Sequence, residues 1–463
     1  MNLSPKQKQI VEHIDGALLV KAGPGSGKTR VLTERVKHLL SEKKRNRVLA
    51  LTFSNMAAEE MRSRLENDPV VGDAIERVTI GTIHSFCLDI VQSRGYLLGL
   101  RPDISLFESE NDRSAILRSV ISGETEFSML VRRQQKPEDL LKNYLSMISE
   151  QKRSLVSPDL CDIDEPFPTI YKKYNDVLWD QNAMDFDDIL FFAYRILTEN
   201  PDVAKLYNSV YRFVCIDESQ DLNNAQYNVI LALCGSDFRN IMMVGDENQS
   251  IYAFNGSSSK YMSESFVRDF KPMIYTLDEN FRSAKQIIQF SNTLTGNNED
   301  ISKYFYDGEL SVTSHPDELT EAKAVRNSIE TLMTTGHKDI EHELSYDDFA
   351  VIARNKYIFS QIESEFTVGN IPFFYKKTRS GLTCETNFMN AFDLVLRLLM
   401  NPMDMYHRQM LCKLVLRDIS LGSDCSDTKT MIELLLADSS YAWLMSVLPY
   451  ITKEGVLDFD KVL

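Results

Sequence analysis

The stretch that most constrains this chain is Ala22-Gly23-Pro24-Gly25-Ser26-Gly27-Lys28-Thr29. It follows an apolar run, Ala17-Leu18-Leu19-Val20-Lys21, and precedes Val31, Val36, Leu39 and Leu40 at helical spacing. Closely spaced glycines let backbone N–H groups close on phosphate oxygens, and the helix behind them presents the positive end of its dipole. Lys28 would reach the terminal phosphates, Thr29 would offer its hydroxyl to Mg2+, and Arg30 follows on the same turn. The alternative is a Gly-rich connection with no ligand. The buried strand before it and the helix after it supply the context that favours a phosphate site, although Ala22 stands where the usual pattern has Gly.

The same strand-then-helix alternation recurs along the chain. Apolar runs lie at Val48-Leu49-Ala50-Leu51-Thr52-Phe53, Phe213-Val214-Cys215-Ile216, Ile241-Met242-Met243-Val244, Met273-Ile274-Tyr275-Thr276-Leu277 and Phe349-Ala350-Val351-Ile352-Ala353. Fully apolar strands separated by helices predict an α/β fold with a parallel sheet covered on both faces. Between about residues 89 and 204 the strand signal disappears, and the charged, helix-period sequence predicts an inserted helical domain. Residues 296–347 are polar, with a helix expected from Leu319 to Met333. The tail from Lys376 is expected to be mostly helical, over Phe392 to Leu399 and Met431 to Leu436.

Composition narrows the class without choosing the partner. A length of 463 residues predicts two to four domains. No run of about 18 apolar residues occurs, so no membrane span is expected. Seven dispersed cysteines without a CxxC pair predict thiols in a reducing cytoplasm, neither a disulfide frame nor a zinc site. The formal net charge of −16 argues against nucleic acid at first sight. Its distribution matters more: eight of the residues from Lys28 to Arg47 are basic and two acidic. That is equally the pattern of a solvated helix face, so charge decides nothing here.

A second acidic signal completes a nucleotide site. Asp217-Glu218 follows the strand Phe213-Val214-Cys215-Ile216, at the ligand side of such a sheet. Asp217 would hold Mg2+, and Glu218 would orient and deprotonate the attacking water. At this point the chain resembles superfamily 1 helicases of the UvrD/Rep/PcrA group, with motifs in family order over about residues 3–375. Leu3-Ser4-Pro5-Lys6-Gln7 resembles the adenine-reading Q motif, which implies Gln7 on the base. Thr52-Phe53-Ser54-Asn55-Met56-Ala57-Ala58 and Gly81-Thr82-Ile83-His84-Ser85-Phe86 resemble motifs Ia and Ib. The resemblance implies single-stranded DNA contacts for Thr52, Phe53, Asn55, Thr82 and His84. Asp217-Glu218-Ser219-Gln220-Asp221 resembles motif II. Val244-Gly245-Asp246-Glu247-Asn248-Gln249-Ser250-Ile251-Tyr252 resembles motif III, in which Gln249 would sense the terminal phosphate. Leu277-Asp278-Glu279-Asn280-Phe281-Arg282-Ser283 resembles motif IV, which implies Phe281 stacked on adenine and Arg282 as an arginine finger. Met184-Asp185-Phe186-Asp187-Asp188-Ile189-Leu190 is a further family stretch; by itself it reads as a helix start rather than a metal site.

The departures are specific. Met56 stands where many members have Lys, Phe281 where Tyr is usual, and Phe254-Asn255-Gly256 where Trp-Arg-Gly is frequent. Phe254 keeps a stacking face, Tyr252 lies beside it, and Asn255 removes a cation; core packing is the rival role for both aromatics. Motifs V and VI are not found before Leu463, and Thr378-Arg379 lacks the leading strand that motif VI needs. The expected organisation is a RecA-like domain over 1–88 and 205–272, a helical insertion over 89–204, the first part of a second RecA-like domain over 273–375, and a helical segment over 376–463. The resemblance implies an ATP- and Mg2+-dependent motor moving 3′ to 5′ on single-stranded DNA or a tailed duplex, with ATP between the two RecA-like domains. Without a second arginine from beyond Leu463, slow turnover is expected. The rivals are a helicase-like ATPase subunit of a larger complex, such as an anti-phage system with a nuclease partner, and a nucleotide-dependent DNA-binding switch.

Overall fold

The computed structural model describes residues 3–42, 45–101, 104–122, 137–235, 238–296, 306–375 and 387–400, with 407, 408, 410–412 and 414. Thr378-Arg379 and the expected helix from Met431 to Leu436 lie outside them. The chain divides into two compact units. One comprises Met1–Ala22, Lys28–Leu277 and Cys384–Leu463, the other Gly23–Gly27 and Asp278–Thr383.

The first unit is built on strands β1 (Leu18–Ala22), β2 (Val48–Thr52), β3 (Val78–Thr82), β6 (Phe213–Ile216), β7 (Ile241–Gly245) and β8 (Met273–Leu277). They form one parallel sheet in the order β3-β2-β6-β7-β1-β8. Successive side chains of a strand point to opposite faces, and here both faces are buried. Leu19, Leu49, Leu51, Val214, Ile216 and Met243 enter one core. Leu18, Val20, Val48, Ala50, Cys215 and Val244 enter the other. This is why the central strands read as unbroken apolar runs. β8 hydrogen-bonds along β1 as an edge strand, so the sheet extends past residue 272. Arg35, buried in the helix Lys28–Glu42, donates through Nη1 to the carbonyls of Ile10 and His13. That bond fastens the helix Pro5–Glu12, which carries Gln7, to the helix behind the glycine loop.

The stretch 89–204 is not purely helical, in contrast to the expectation. β4 (Ser105–Phe107) and β5 (Ala183–Asp185) pair in parallel as a two-stranded sheet. Three residues are too few to show a strand period, which is why the sequence hides them. The helices Glu110–Ser122, Pro137–Arg153 and Phe167–Asp180 pack around Ile116, Leu117, Ile148, Tyr171 and Tyr174. Asp185 caps the helix Phe186–Glu199 in a capping box with Asp188, so the acidic stretch is a helix start, as read. Lys152 lies buried against both carboxylates, 2.9 Å from Asp185 and 2.7 Å from Asp188.

In the second unit the helices Glu318–Thr335 and Phe359–Val368 pack through Ala322, Ile329, Ile362 and Phe366, with Ile371 closing the cluster. The expected strand at 349–353 does not form. Phe349 has extended dihedrals, yet no described strand lies beside the segment to complete a ladder, and Ile352 faces solvent. Among the described residues Cys87, Cys161, Cys215 and Cys234 are free. Cys412 is disulfide-bonded, contrary to expectation. No helix among the described residues is long and apolar enough to cross a membrane.

Candidate nucleotide site and nucleic-acid interface

The glycine loop runs from the end of β1 into the first turn of the helix Lys28–Glu42. Gly25 and Gly27 take φ of +68° and +83°, values that a Cβ would strain. Ser26 is buried, and its hydroxyl donates to the Gly23 carbonyl at 2.7 Å, pinning the turn. The Asp278–Thr383 segment closes on this loop: the Phe281 N–H donates to the Gly25 carbonyl at 2.8 Å. A Cβ on Gly25 would strike Asn280 Oδ1 and come within 2.8 Å of Arg282 Cβ. Asn280 is buried, and its Oδ1 accepts from the N–H groups of Arg282 and Ser283 at 2.9 and 3.1 Å. Arg282 is thereby set beside the phosphate loop with its side chain exposed, and Phe281 presents an exposed ring. Ala22 is buried in β1, while Gly23 and Pro24, which lead the loop, are half-buried.

Lys28 Nζ lies 3.4 Å from Glu218 Oε2. Glu218 follows β6 in the left-handed region (φ 49°, ψ 42°), a conformation that costs a non-glycine residue about 1–3 kcal/mol and recurs at functional sites. Asp217 is buried and accepts the Glu218 N–H at 2.9 Å. Burial, and then the adjacent Glu218 carboxylate, push Asp217 up to about 7. An acid held in so unfavourable an environment suits a divalent cation, whose charge would restore its ionised form. Among the described residues no group of three or more His, Cys, Asp or Glu side chains gathers as a metal cage. One carboxylate, the Thr29 hydroxyl and nucleotide phosphates are the donor set that Mg2+ ordinarily takes. Thr29 and Arg30 are half-buried on the first turn of their helix. Gln7 is buried, and its Oε1 accepts the Ser4 N–H in a capping box, so its amide is held by the start of its own helix.

A hydrogen-bonded path leads from this carboxylate to the next strand. Gln220 Nε2 donates to Glu218 Oε2 at 2.8 Å, and its Oε1 accepts the Asp246 N–H at 3.1 Å. Asp246 Oδ2 accepts from Gln249 Nε2 at 2.7 Å. Glu247, in the same turn, pairs with Lys21 of β1 at 2.5 Å. Gln220 and Asn280 were not singled out by the sequence reading. Their signal was membership of motif stretches, without any indication of what each amide would bridge.

Beyond Gln249 the chain presents aromatic rings. Tyr252 packs on Phe53 at 4.7 Å between centroids, and Phe254 lies 6.0 Å from Tyr252 with 80% of its surface exposed. Phe254 is therefore not core packing. His84 stacks on the exposed Phe186 at 4.3 Å and 23°. The imidazole keeps some solvent contact, yet surrounding atoms push its pKa down to about 4, so it stays neutral near pH 7. The Thr52 hydroxyl donates to the Ser54 carbonyl, and Thr82 caps the helix Ile83–Arg94, so both hydroxyls first serve local turns. Asn55 is exposed at the start of the helix Asn55–Glu66.

Comparison with known proteins agrees with this geometry. Residues 3–271 match the family model of the UvrD/REP helicase N-terminal domain, and residues 275–420 that of the UvrD-like helicase C-terminal domain. ATP-dependent DNA helicase UvrD1 of Mycobacterium leprae is 32% identical over 87% of this chain and 53% of its own length. ATP-dependent DNA helicase Rep of Escherichia coli is 31% identical over 87% of this chain and 59% of its own length. For ATP-dependent DNA helicase PcrA of Staphylococcus epidermidis the values are 28%, 80% and 50%. The chain thus spans about half the length of the curated relatives it matches. With its α/β parallel sheet, glycine loop and acidic pair in this arrangement, the chain belongs to the UvrD-like helicase family.

Proposed function

We propose that the chain is an ATP-driven motor that grips and translocates single-stranded DNA, moving 3′ to 5′ and opening tailed duplexes, in a cytoplasmic setting. One observation carries the reading: the path Glu218–Gln220–Asp246–Gln249, which ends three residues before the exposed aromatic turn of Tyr252 and Phe254. A change at the terminal phosphate would pull on Glu218 and Gln249, and through the Gln220 amide would shift the backbone that carries the rings. ATP would bind at the glycine loop, with Lys28 on its terminal phosphates, Gln7 and Phe281 on its base, and Arg282 against the transferred phosphoryl group. Bound Mg2+, held by Thr29 and Asp217, would supply neutralisation of phosphate charge. Glu218 would accept the proton of the attacking water, and the contact with Lys28 would give way to contact with nucleotide. Bases would stack on Phe254 and Tyr252, with Phe53, Asn55, Thr52, Thr82 and His84 along the same strand. Stacking on an aromatic face is worth ~1–3 kcal/mol per base and is tolerant of sequence.

Single-turnover hydrolysis by Glu218→Gln tests the chemistry. ATP affinity is expected to hold within a few fold while the rate falls by roughly 10²–10⁴; equal losses in both would make Glu218 a structural residue. Lys28→Ala should weaken nucleotide binding and abolish hydrolysis in a folded protein. Single-stranded DNA end-labelled at either terminus reads direction, and arrival at the 3′ end would refute the 3′-to-5′ assignment.

A further inference from the structure

The turn that carries the exposed ring is held by a residue of the helical insertion. Arg153 is the last residue of the helix Pro137–Arg153, and its Nη1 donates to Asn255 Oδ1 at 2.7 Å across 102 residues of sequence. Its Nε donates to the Ser149 carbonyl at 3.2 Å, which fixes the direction of the guanidinium. The main chain is anchored equally well. Asn224 Nδ2 donates to the Ser154 carbonyl at 3.2 Å, and Leu155 turns the chain at φ 60°. Lys152, one residue earlier, is buried against Asp185 and Asp188. By contrast the turn itself is lightly built. Ala253–Asn255 forms a short helical turn closed by Asn255 N–H to the Tyr252 carbonyl at 2.8 Å and Gly256 N–H to the Ala253 carbonyl at 3.0 Å. Residues 253–256 are all exposed, and a Cβ on Gly256 would meet nothing within 4 Å.

We propose that Arg153 is a positioning residue for DNA binding, which holds the Tyr252–Phe254 platform at its working angle through Asn255. The helical insertion is thereby coupled directly to the base-stacking turn. A rigid anchor bonded to a loosely held loop restrains the loop. With the nearest Asp187 oxygen 4.0 Å from Nε and one Nη on Asn255, the guanidinium is directed at protein partners. It therefore acts through Phe254 and does not need a phosphate of its own.

The inference rests on the reading of Phe254 as a stacking surface, and the experiment separates the two. Affinity for a fluorescein-labelled oligo-dT strand would be measured by anisotropy over a range of salt for the 463-residue chain and its variants, each checked for an unchanged melting temperature. Phe254→Ala is expected to weaken binding about tenfold, within what one stacked base contributes. Arg153→Ala is expected to weaken it by roughly fivefold with no change of salt slope, since no phosphate contact is lost. The double variant should bind no worse than Phe254→Ala, because both changes remove the same stacked base. Asn255→Ala, a change at an exposed position, should reproduce the Arg153→Ala loss. The exchange Arg153→Asn with Asn255→Arg, which reverses donor and acceptor, should restore affinity to within about twofold of the starting protein. Wild-type affinity in Arg153→Ala, alongside a weakened Phe254→Ala, would overturn the positioning role alone. A salt slope reduced by about one, with losses that multiply in the double variant, would also overturn it and make Arg153 a phosphate contact. An unaffected Phe254→Ala would overturn the platform reading and the inference with it.

Discussion

Replacing Lys152 by Met removes one charge from a site that water barely reaches. Lys152 is 1% exposed and lies 2.9 Å from Asp185 and 2.7 Å from Asp188, which are themselves buried. Met keeps the aliphatic volume, so no sizeable cavity opens and the cost is electrostatic. Two carboxylates then share what remains: Arg113 at 3.7 Å from Asp185, and the Tyr174 hydroxyl, which donates to Asp185 at 3.1 Å. Removing one partner of a buried pair costs ~3–5 kcal/mol. Solution pH sets how much of that is felt. Burial, and then Asp185, already hold Asp188 above the usual carboxylate range despite Lys152. A carboxyl whose folded pKa exceeds its unfolded value favours the fold at low pH and loses that contribution as pH rises through the folded pKa. Without Lys152 that pKa rises further. Asp185, which against its burial Lys152 and then Arg113 hold below the usual carboxylate range, is ionised at pH 5, so part of the loss is already present there; the Asp188 share should add to it as pH rises through neutrality, by at most ~1.4 kcal/mol per pH unit. Urea unfolding followed by Trp179, with the other tryptophan, Trp443, changed to Phe, reads the insertion that carries the cluster. Asp188→Asn in the Lys152→Met background should recover roughly half the loss, because one of the two carboxylate charges is gone and the amide oxygen can still accept the Asp185 N–H. A Lys152→Met protein within about 1 kcal/mol of wild type at both pH 6 and pH 8 would refute the premise that these carboxylates are buried as charges.

Three further outcomes follow from the site. Gly25→Ala places a methyl against Asn280 Oδ1 and Arg282 at φ +68°, so nucleotide affinity should fall at least about tenfold, read by titration with a fluorescent ADP; wild-type affinity would mean that the loop has another conformation. His84 is held near pKa 4 against 6.5 in the unfolded chain, so the fold binds fewer protons and gains stability as pH rises from 4 to 6.5, then levels. The full shift corresponds to ~3 kcal/mol and solvent contact of the ring reduces it to ~1–2; His84→Phe, which keeps the stack on Phe186, should flatten that part of the melting-temperature profile, and an unchanged slope would exclude His84 as its source. Gln220→Glu keeps an acceptor for the Asp246 N–H but sets a carboxylate against Glu218 in place of the Nε2 donor, which breaks the path at Glu218, so the difference in single-strand affinity between ADP and a non-hydrolysable ATP analogue should vanish; a preserved difference would place the coupling elsewhere.

What the sequence reveals depends on how local the cause is. The strand Val48–Thr52 is legible because all five side chains are buried, so each residue reports its environment. β3, Val-Thr-Ile-Gly-Thr, lies at the edge with three of its five residues partly exposed, and no unbroken apolar run marks it. Phe349 to Ala353 fails in the opposite direction: it is apolar, but β structure needs a neighbour, and none of the described residues supplies one. The site divides in the same way. The glycine loop and Asp217-Glu218 carry their chemistry in contiguous residues and were readable. Gln220 acts on Asp246, 26 residues away, and Arg153 on Asn255 across 102, distances that no motif spacing encodes.

The acidic total follows the same logic. Asp185, Asp188 and Asp217 are buried, the first two against Lys152 and the third where burial and Glu218 hold its proton. Such carboxylates enter the formal charge of −16 in full, yet they do not project an acidic field onto the surface that a strand would meet. Net charge is thus an incomplete guide to affinity for DNA in this chain, because it counts these buried carboxylates alongside exposed ones and takes no account of the exposed rings of Phe254 and Phe186. Binding that depends on stacking more than on counterion release should show a shallow salt slope, which is the quantity that distinguishes the two sources of affinity.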